Sequence, residues 1–268
     1  MPELKQEPRA PLLPGAVAVV LSTVYLIALL AVERQPLVIG LLAFGVVAVL
    51  AAHYMNWLDP VSRSFAEREG TLSAYAILAA CVVAAFFHDN HFVLLLFVTV
   101  LLYAVATLGL NIEFGYAGVL NFAGASFFGI GAYTSAVLTT YTAVPHLLVL
   151  LIGGTLAALI GSLLLLPVLR TRGHYAALVT IAFALLLKTF LEVNDVLGGP
   201  QGMQVKGMSI LGWSFNDNFE IGKIEMSFYL NYFVISMLLL CGTFVLVRRL
   251  ERSWIGRASC RERVYHPV

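Results

Sequence analysis

Two places in this chain gather side chains that can do chemistry. The tetrapeptide His88-Asp89-Asn90-His91 sets two imidazoles three residues apart with a carboxylate between them, a donor set able to hold a metal ion. Farther along, Asn111, Glu113, Tyr116, Asn121, Ser126 and Tyr133 are spread through GLNIEFGYAGVLNFAGASFFGIGAY, residues 109–133, together with six glycines. Neither place pairs a nucleophile with a base in the way covalent catalysis needs, and no GxxxxGK[ST] phosphate cradle occurs anywhere. The three cysteines, Cys81, Cys241 and Cys260, have no CxxC or metal-ligand spacing and read as small packing residues. The chain is therefore expected to carry no catalytic residue, no metal and no bound nucleotide.

The elements that must position these residues follow from composition. Of 268 residues, 60% are hydrophobic and 12% charged, against roughly 45–50% and 25% in soluble domains; the mean hydropathy is +0.90. This is the composition of an integral membrane protein. A net charge of +1, from 16 basic and 15 acidic side chains, gives no global field to recruit nucleic acid. Apolar runs fall at 12–32, 37–55, 72–87, 92–112, 117–140, 147–169, 174–191 and 227–247. They are continuously apolar and too long for barrel strands, so helices are the remaining way to satisfy the backbone in lipid. The expected fold is all-α and polytopic, with about eight transmembrane helices and one glycine-rich broken or re-entrant segment. A segment at 1–11, a transmembrane domain at 12–247 and a tail at 248–268 complete the division.

Orientation follows from Lys and Arg. With the N-terminus cytoplasmic, the inner segments hold Lys5, Arg9, Arg63, Arg68, Arg170, Arg172, Arg248, Arg249, Arg252 and Arg257, and the outer ones only Arg34, Lys206 and Lys223. An even span count keeps both Arg-rich ends on one side. The long outer connection, 194–226, carries LGGPQGM, Trp213 and three asparagines, a turn-rich composition suited to a structured surface or an ordinary loop.

Within 109–133, Gly115, Gly118, Gly124, Gly129 and Gly131 remove side-chain bulk. Two readings stand: close helix packing of the small-xxx-small kind, which the Ala125 and Gly129 spacing fits, or a break that bares backbone along a solute path. Polar groups at membrane depth cost free energy unless they meet each other, water or a passing solute, which favours a pathway lined by Asn111, Tyr116, Asn121, Ser126 and Tyr133. Glu113 fits either that pathway or the inner membrane interface. His88, Asp89 and His91 fall in a tight outer turn, where capping is the ordinary role and a metal-using intramembrane enzyme the rival. An ion-coupled secondary transporter is a second rival class, against which stands the scarcity of acids and histidines in the spans. Lys188 and Glu192, four apart, are placed to pair on one helix.

The literal residues carry a resemblance as well. GLNIEFGYAGVLNFAGASFFGIGAYTSAVL, then RGHYAALVTIAFALLLKTF, then LGGPQGM, in that order between about Leu101 and Arg257, resemble the permease subunits of branched-chain amino-acid ABC importers of bacterial and archaeal cytoplasmic membranes. The resemblance implies a transport subunit rather than an enzyme. It further implies a second permease subunit, two cytoplasmic ATPase subunits that use ATP, an extracytoplasmic binding protein, and no nucleic-acid partner. Branched-chain amino acids are the first expected solute, with urea, short amides or other amino acids as alternatives. It assigns Gly115, Tyr116 and Gly118 to pathway or packing, Arg172, Gly173 and Tyr175 to the inner start of a helix, and Gly198, Gly199 and Gly202 to outer-loop geometry. Leu197 stands where the family usually has Thr, and Gly124 lies where His is frequent nearby.

After Gly256 the resemblance lapses: GRASCRERVYHPV replaces the expected approach to a coupling segment. Residues 258–264, ASCRERV, match one reading frame of a common sequencing adapter, so this stretch is read as non-native and the native chain as cut short there.

Overall fold

The computed structural model describes residues 12–118, 121–169, 174–205, 207–210, 213–217, 219–221 and 224–253. The chain divides into two units, Met1–Leu94 and Leu95–Val268.

In the first unit, α1 (Leu12–Ala31) and α2 (Gln35–Tyr54) are apolar along their whole length, and Pro36 at the start of α2 supplies a preset helical φ where no N–H is needed. α3 (Leu58–Glu67) is short and amphipathic, with Asp59 in its first turn, and α4 (Glu69–Phe86) follows directly. α1 lies close to both. Gly15 faces Leu72 and Ser64, and a Cβ there would come within 2.6 Å of a Leu72 methyl carbon. The Tyr25 hydroxyl donates to the Leu41 carbonyl at 2.9 Å, which joins α1 to α2. α2 has no buried residue, and Phe44 and Val47 are each more than 60% exposed. Such a surface would be prohibitive in water and is ordinary in lipid.

The unit boundary falls inside α5 (His91–Leu110). After α5 the second unit runs through a π-helical turn (Asn111–Ala117), α6 (Gly124–Tyr141), α7 (His146–Leu169), α8 (His174–Val193) and α9 (Tyr229–Arg252). Between α8 and α9 lie two 3-10 turns, Asp195–Leu197 and Gly199–Gln201, and two short antiparallel hairpins. Strand β1 (Ser209–Ile210) pairs with β2 (Trp213–Ser214), and β3 (Phe219–Ile221) with β4 (Ile224–Met226). These small ribbons sit in a connection and leave the fold all-α.

Helices α6 and α7 pack most closely. Phe127 and Gly131, four apart on α6, meet Gly161 and Gly153 on α7: a Cβ on Gly161 would stand 3.3 Å from the Phe127 ring and one on Gly153 3.5 Å from the Gly131 carbonyl oxygen. Small residues let the backbones approach where lipid supplies no hydrophobic drive between helices.

Among the described residues seven helices are long and apolar enough to cross a membrane, the fourth being α5 continued through the π turn to Tyr116. Each of the eight apolar runs in the sequence contains a helix. The one outside the seven is α6, whose Tyr133, Thr134, Ser135, Thr139, Thr140 and Tyr141 lower its apolarity. Its helix starts at Gly124 rather than at 117 because the backbone is irregular before it.

Candidate functional site

The glycine-rich stretch departs from α-helical geometry over the residues that join α5 to α6. From Asn111 the bonding widens to the π pattern, and the Gly118 N–H donates to the Glu113 carbonyl, five residues back. Gly118 then takes φ 65°, a left-handed conformation that stops the helix and suits a residue without Cβ. Single π turns inside long helices are frequent at functional sites. Gly115 has a separate reason for being small: a Cβ there would come within 2.7 Å of the Asn111 side-chain oxygen.

The break is held by side chains rather than by regular bonding. The Asn121 amide donates to Glu113 Oε1 at 2.9 Å, and Asn121 Oδ1 accepts the Ala123 N–H at 2.8 Å. Thr180 on α8, 1% exposed, accepts the Phe122 N–H at 3.1 Å and donates to the Ala177 carbonyl at 2.9 Å. One turn along α8, Phe183 lies with its ring centroid 6.3 Å from that of Phe127. Thus α8 supplies both a polar anchor for the irregular backbone and an apolar one for the start of α6. The Tyr116 hydroxyl donates to Glu251 Oε1 near the end of α9, which ties the π turn to the last turn of that helix.

The remaining residues singled out in the sequence are dispersed. Ser126 is buried on the first turn of α6, while Tyr133 lines a second, apolar groove of about 380 Å³ with Ile130, Ile152 and Leu191. Gly124 faces Leu110, and at Gly129 a Cβ would meet nothing within 4 Å. Gly198, Gly199 and Gly202, in the connection between α8 and α9, adopt φ of 87°, 54° and 73°, in the left-handed range that favours a residue without Cβ. Asn194 caps the first turn there by accepting the Val196 N–H at 3.0 Å. Tyr175 is exposed near the start of α8; Arg172, Gly173 and 258–264 lie outside the described residues. In the α4–α5 turn, Asn90 Oδ1 accepts the Val93 N–H at 3.2 Å and His88 Nδ1 lies 3.2 Å from the Ala85 carbonyl oxygen, so local capping engages this tetrapeptide. Among the described residues no three of His, Cys, Asp or Glu are grouped to hold a metal ion. Lys188 and Glu192 form their ion pair at 3.6 Å on an exposed face of α8.

Sequence reasoning did not find one further feature. An open groove of about 650 Å³ runs between α6 and α7, bordered by Val105 of α5 and by Tyr232 and Leu239 of α9. On α7 it extends from His146 to Ala157, about 16 Å at helical rise, or half the hydrocarbon thickness. Its floor is the close Gly131–Gly153 contact, and its walls are mostly apolar, with Phe127, Phe128 and Val149. One end is polar. The Ser209 N–H donates to His146 Nδ1 at 3.4 Å, while the Tyr232 hydroxyl accepts the Met208 N–H at 3.2 Å and donates to Asn216 Oδ1 at 2.9 Å. His146, Ser209 and Tyr232 are distant in sequence, so no spacing pattern reveals them; the single signal was a lone histidine after a proline at the head of an apolar run.

Comparison with known proteins agrees with this architecture. The family described as branched-chain amino acid transport system / permease component matches residues 92–260, a span that starts near the beginning of the second unit. The high-affinity branched-chain amino acid transport system permease protein LivM of Escherichia coli strain K12 is 33% identical over 172 residues, covering 59% of this chain and 40% of that protein. Its counterpart in Salmonella typhimurium strain LT2 is 32% identical over 172 residues, with the same shares. The chain thus spans about two fifths of the length of these curated relatives. No solved structure matches significantly.

Proposed function

The chain belongs to the family of branched-chain amino-acid transport permease components, and from that premise we propose that it forms part of the membrane pathway of an ATP-driven, binding-protein-dependent importer. Branched-chain amino acids are the first solutes to test, because the two relatives carry that designation in their names; urea, short amides and other amino acids are the alternatives within the same reading. A second permease subunit, two cytoplasmic ATPases and an external binding protein complete the assembly in this proposal. The chain itself contributes no nucleotide site and no catalytic group.

The observation that carries the proposal is the broken backbone between α5 and α6, held by Glu113, Asn121 and Thr180, beside a groove that covers half a membrane thickness. Irregular backbone at membrane depth is tolerated where protein or a water-lined cavity satisfies it, and it marks solute sites in transporters. With α6 crossing the bilayer and the N-terminus cytoplasmic, the Arg-rich end of α9 faces inward and the His146 end of the groove outward, as the Lys and Arg distribution favours. The solute then enters beside His146 and Tyr232, passes between Gly131 and the wall opposite, and leaves near the Glu113–Asn121 junction. Differential contacts of the ATPase states select which end is open.

The test is uptake in proteoliposomes by the full-length subunit assembled with its partners. ATP-dependent accumulation of radiolabelled L-leucine that requires this subunit supports the reading. A complete, folded assembly that accumulates none of the four candidate solute classes contradicts it.

A further inference from the structure

The turn from α2 into α3 sets a short, two-faced helix at one membrane boundary. α2 ends in a Schellman motif: the Trp57 N–H donates to the Ala52 carbonyl and the Asn56 N–H to the His53 carbonyl, while Asn56 takes φ 55°, a left-handed conformation that asparagine tolerates. The chain is thereby redirected instead of continuing along α2. α1 and α2 have 20 residues each, enough at about 30 Å apiece to cross the hydrocarbon. Residues 32–34 join them, and the Tyr25–Leu41 bond links positions equally far from that turn, so the start of α1 and the end of α2 share a boundary. α3 is held at this level. A Cβ on Gly15, near the start of α1, would stand 3.1 Å from Ser64 Cβ, and Ser64 is buried there. The rest of α3 is divided. Leu58, Val61, Ser62 and Phe65 recur at i, i+3, i+4 and i+7 along one face, and Asp59, Arg63 and Glu67 at i, i+4 and i+8 along another. Ser62, the one polar member of the first face, returns its hydroxyl to the Asp59 carbonyl at 2.9 Å, which lowers its cost beside lipid. Leu58 and Phe65 are 39% and 38% exposed, and Tyr54, Met55 and Trp57 at the turn are more so.

We propose that α3 is an interfacial anchor, lying along the headgroup boundary of the bilayer that α1 and α2 cross, with Leu58, Phe65 and the neighbouring Trp57 sunk to the acyl boundary and Asp59, Arg63 and Glu67 turned to water. The occupant of the apolar face is phospholipid. This face continues the surface of α2, which has no buried residue and meets lipid along its length, and Tyr54 and Trp57 are the residue types enriched at headgroup level. With two acidic side chains and one basic, α3 inserts by burying apolar surface and not by attraction to anionic headgroups. Anchoring at this boundary fixes the depth at which α1 and α4, both packed on α3, begin their spans. The proposal needs only that the chain crosses a membrane, and it stands apart from the identity of the transported solute.

The experiment is a depth measurement by electron paramagnetic resonance on spin-labelled single-cysteine variants of the full-length assembly in nanodiscs, made after the native cysteines are replaced. Phe65→Cys and Ser62→Cys report the apolar face, and Arg63→Cys the charged one. Ser62→Cys is a near-isosteric change at an exposed position, so the measurement stands even if Phe65→Cys fails to assemble. The ratio of collisions with lipid-soluble oxygen to collisions with a water-soluble nickel chelate is expected to be several times higher at the two apolar-face labels than at Arg63→Cys. That difference should be the same in phosphatidylcholine and in phosphatidylglycerol. The proposal is overturned if the apolar-face labels meet the chelate as readily as Arg63→Cys does, if both reagents are excluded from them, as beneath a protein partner, or if the difference appears only with the anionic lipid.

Discussion

The Asn121 side-chain amide donates to Glu113 Oε1 at 2.9 Å across the break between α5 and α6, so that one polar contact spans the stretch where helical bonding stops. Asn121 also accepts the Ala123 N–H, which makes it a bracket between the end of the π turn and the start of α6. A carboxylate at membrane depth is expensive unless it is hydrogen-bonded, and Asn121 supplies that bond.

Replacing Asn121 by Asp would set two carboxylates against each other and lose the donor. The full-length assembly should then lose about 1.5–3 kcal/mol of stability, the range for a hydrogen bond to a charged group, with uptake falling as the break shifts. Glu113→Gln keeps an oxygen acceptor and should be milder. Thermal unfolding and initial uptake rates of the two variants check this ordering.

Gly118 is required by its backbone rather than by its surroundings, since φ is 65° and a Cβ would meet nothing within 4 Å. Gly118→Ala should therefore cost about 1–2 kcal/mol from conformation alone, and Gly118→Val more. Gly129→Ala, where φ is ordinary and space is open, should be neutral or slightly stabilising. Chemical denaturation of the purified subunit distinguishes the two positions.

The close helix contact is sensitive on the α7 side. A leucine at Gly153 would meet the Gly131 backbone and project into the larger groove. Gly153→Leu should abolish or strongly reduce uptake while the subunits still assemble, whereas Gly154→Ala, with nothing within 4 Å of its Cβ, should retain it. Uptake measured together with assembly by size-exclusion chromatography tests the pair.

Much of this was legible in the residues. Continuous apolar runs announce lipid as the solvent, and each run proved to contain a helix because the backbone has no other way to pair its polar groups there. The glycine-rich string and the two motifs after it pointed to the family. Hydropathy could not place the start of α6 at Gly124, because the break depends on the left-handed turn at Gly118 and not on apolarity. α3 was missed for the opposite reason: its apolar and charged residues alternate around one short helix, so no window along the chain stands out. The polar end of the groove joins residues 146, 209 and 232, and only the packing of α7, α9 and the β1–β2 hairpin brings them together.

Tyr116 and Glu251 connect the π turn to α9, and this link predicts non-additive effects. Tyr116→Phe and Glu251→Ala should lower the thermal midpoint of the assembly by similar small amounts, and the double variant should be no worse than either alone. Additive losses would mean that the two side chains act independently.

The central claim is that the groove between α6 and α7 opens to water during transport. It is tested most directly by placing single cysteines in the full-length assembly after the native Cys81, Cys241 and any other cysteines are replaced. Ser135→Cys and Ala157→Cys lie in the groove, and Leu186→Cys on an exposed apolar face of α8 serves as the lipid control. The account predicts that a membrane-impermeant thiol reagent modifies the two groove positions at rates that change when ATP is added, and leaves Leu186→Cys untouched. Modification of Ser135→Cys and Ala157→Cys only by a reagent that partitions into the acyl chains would contradict it.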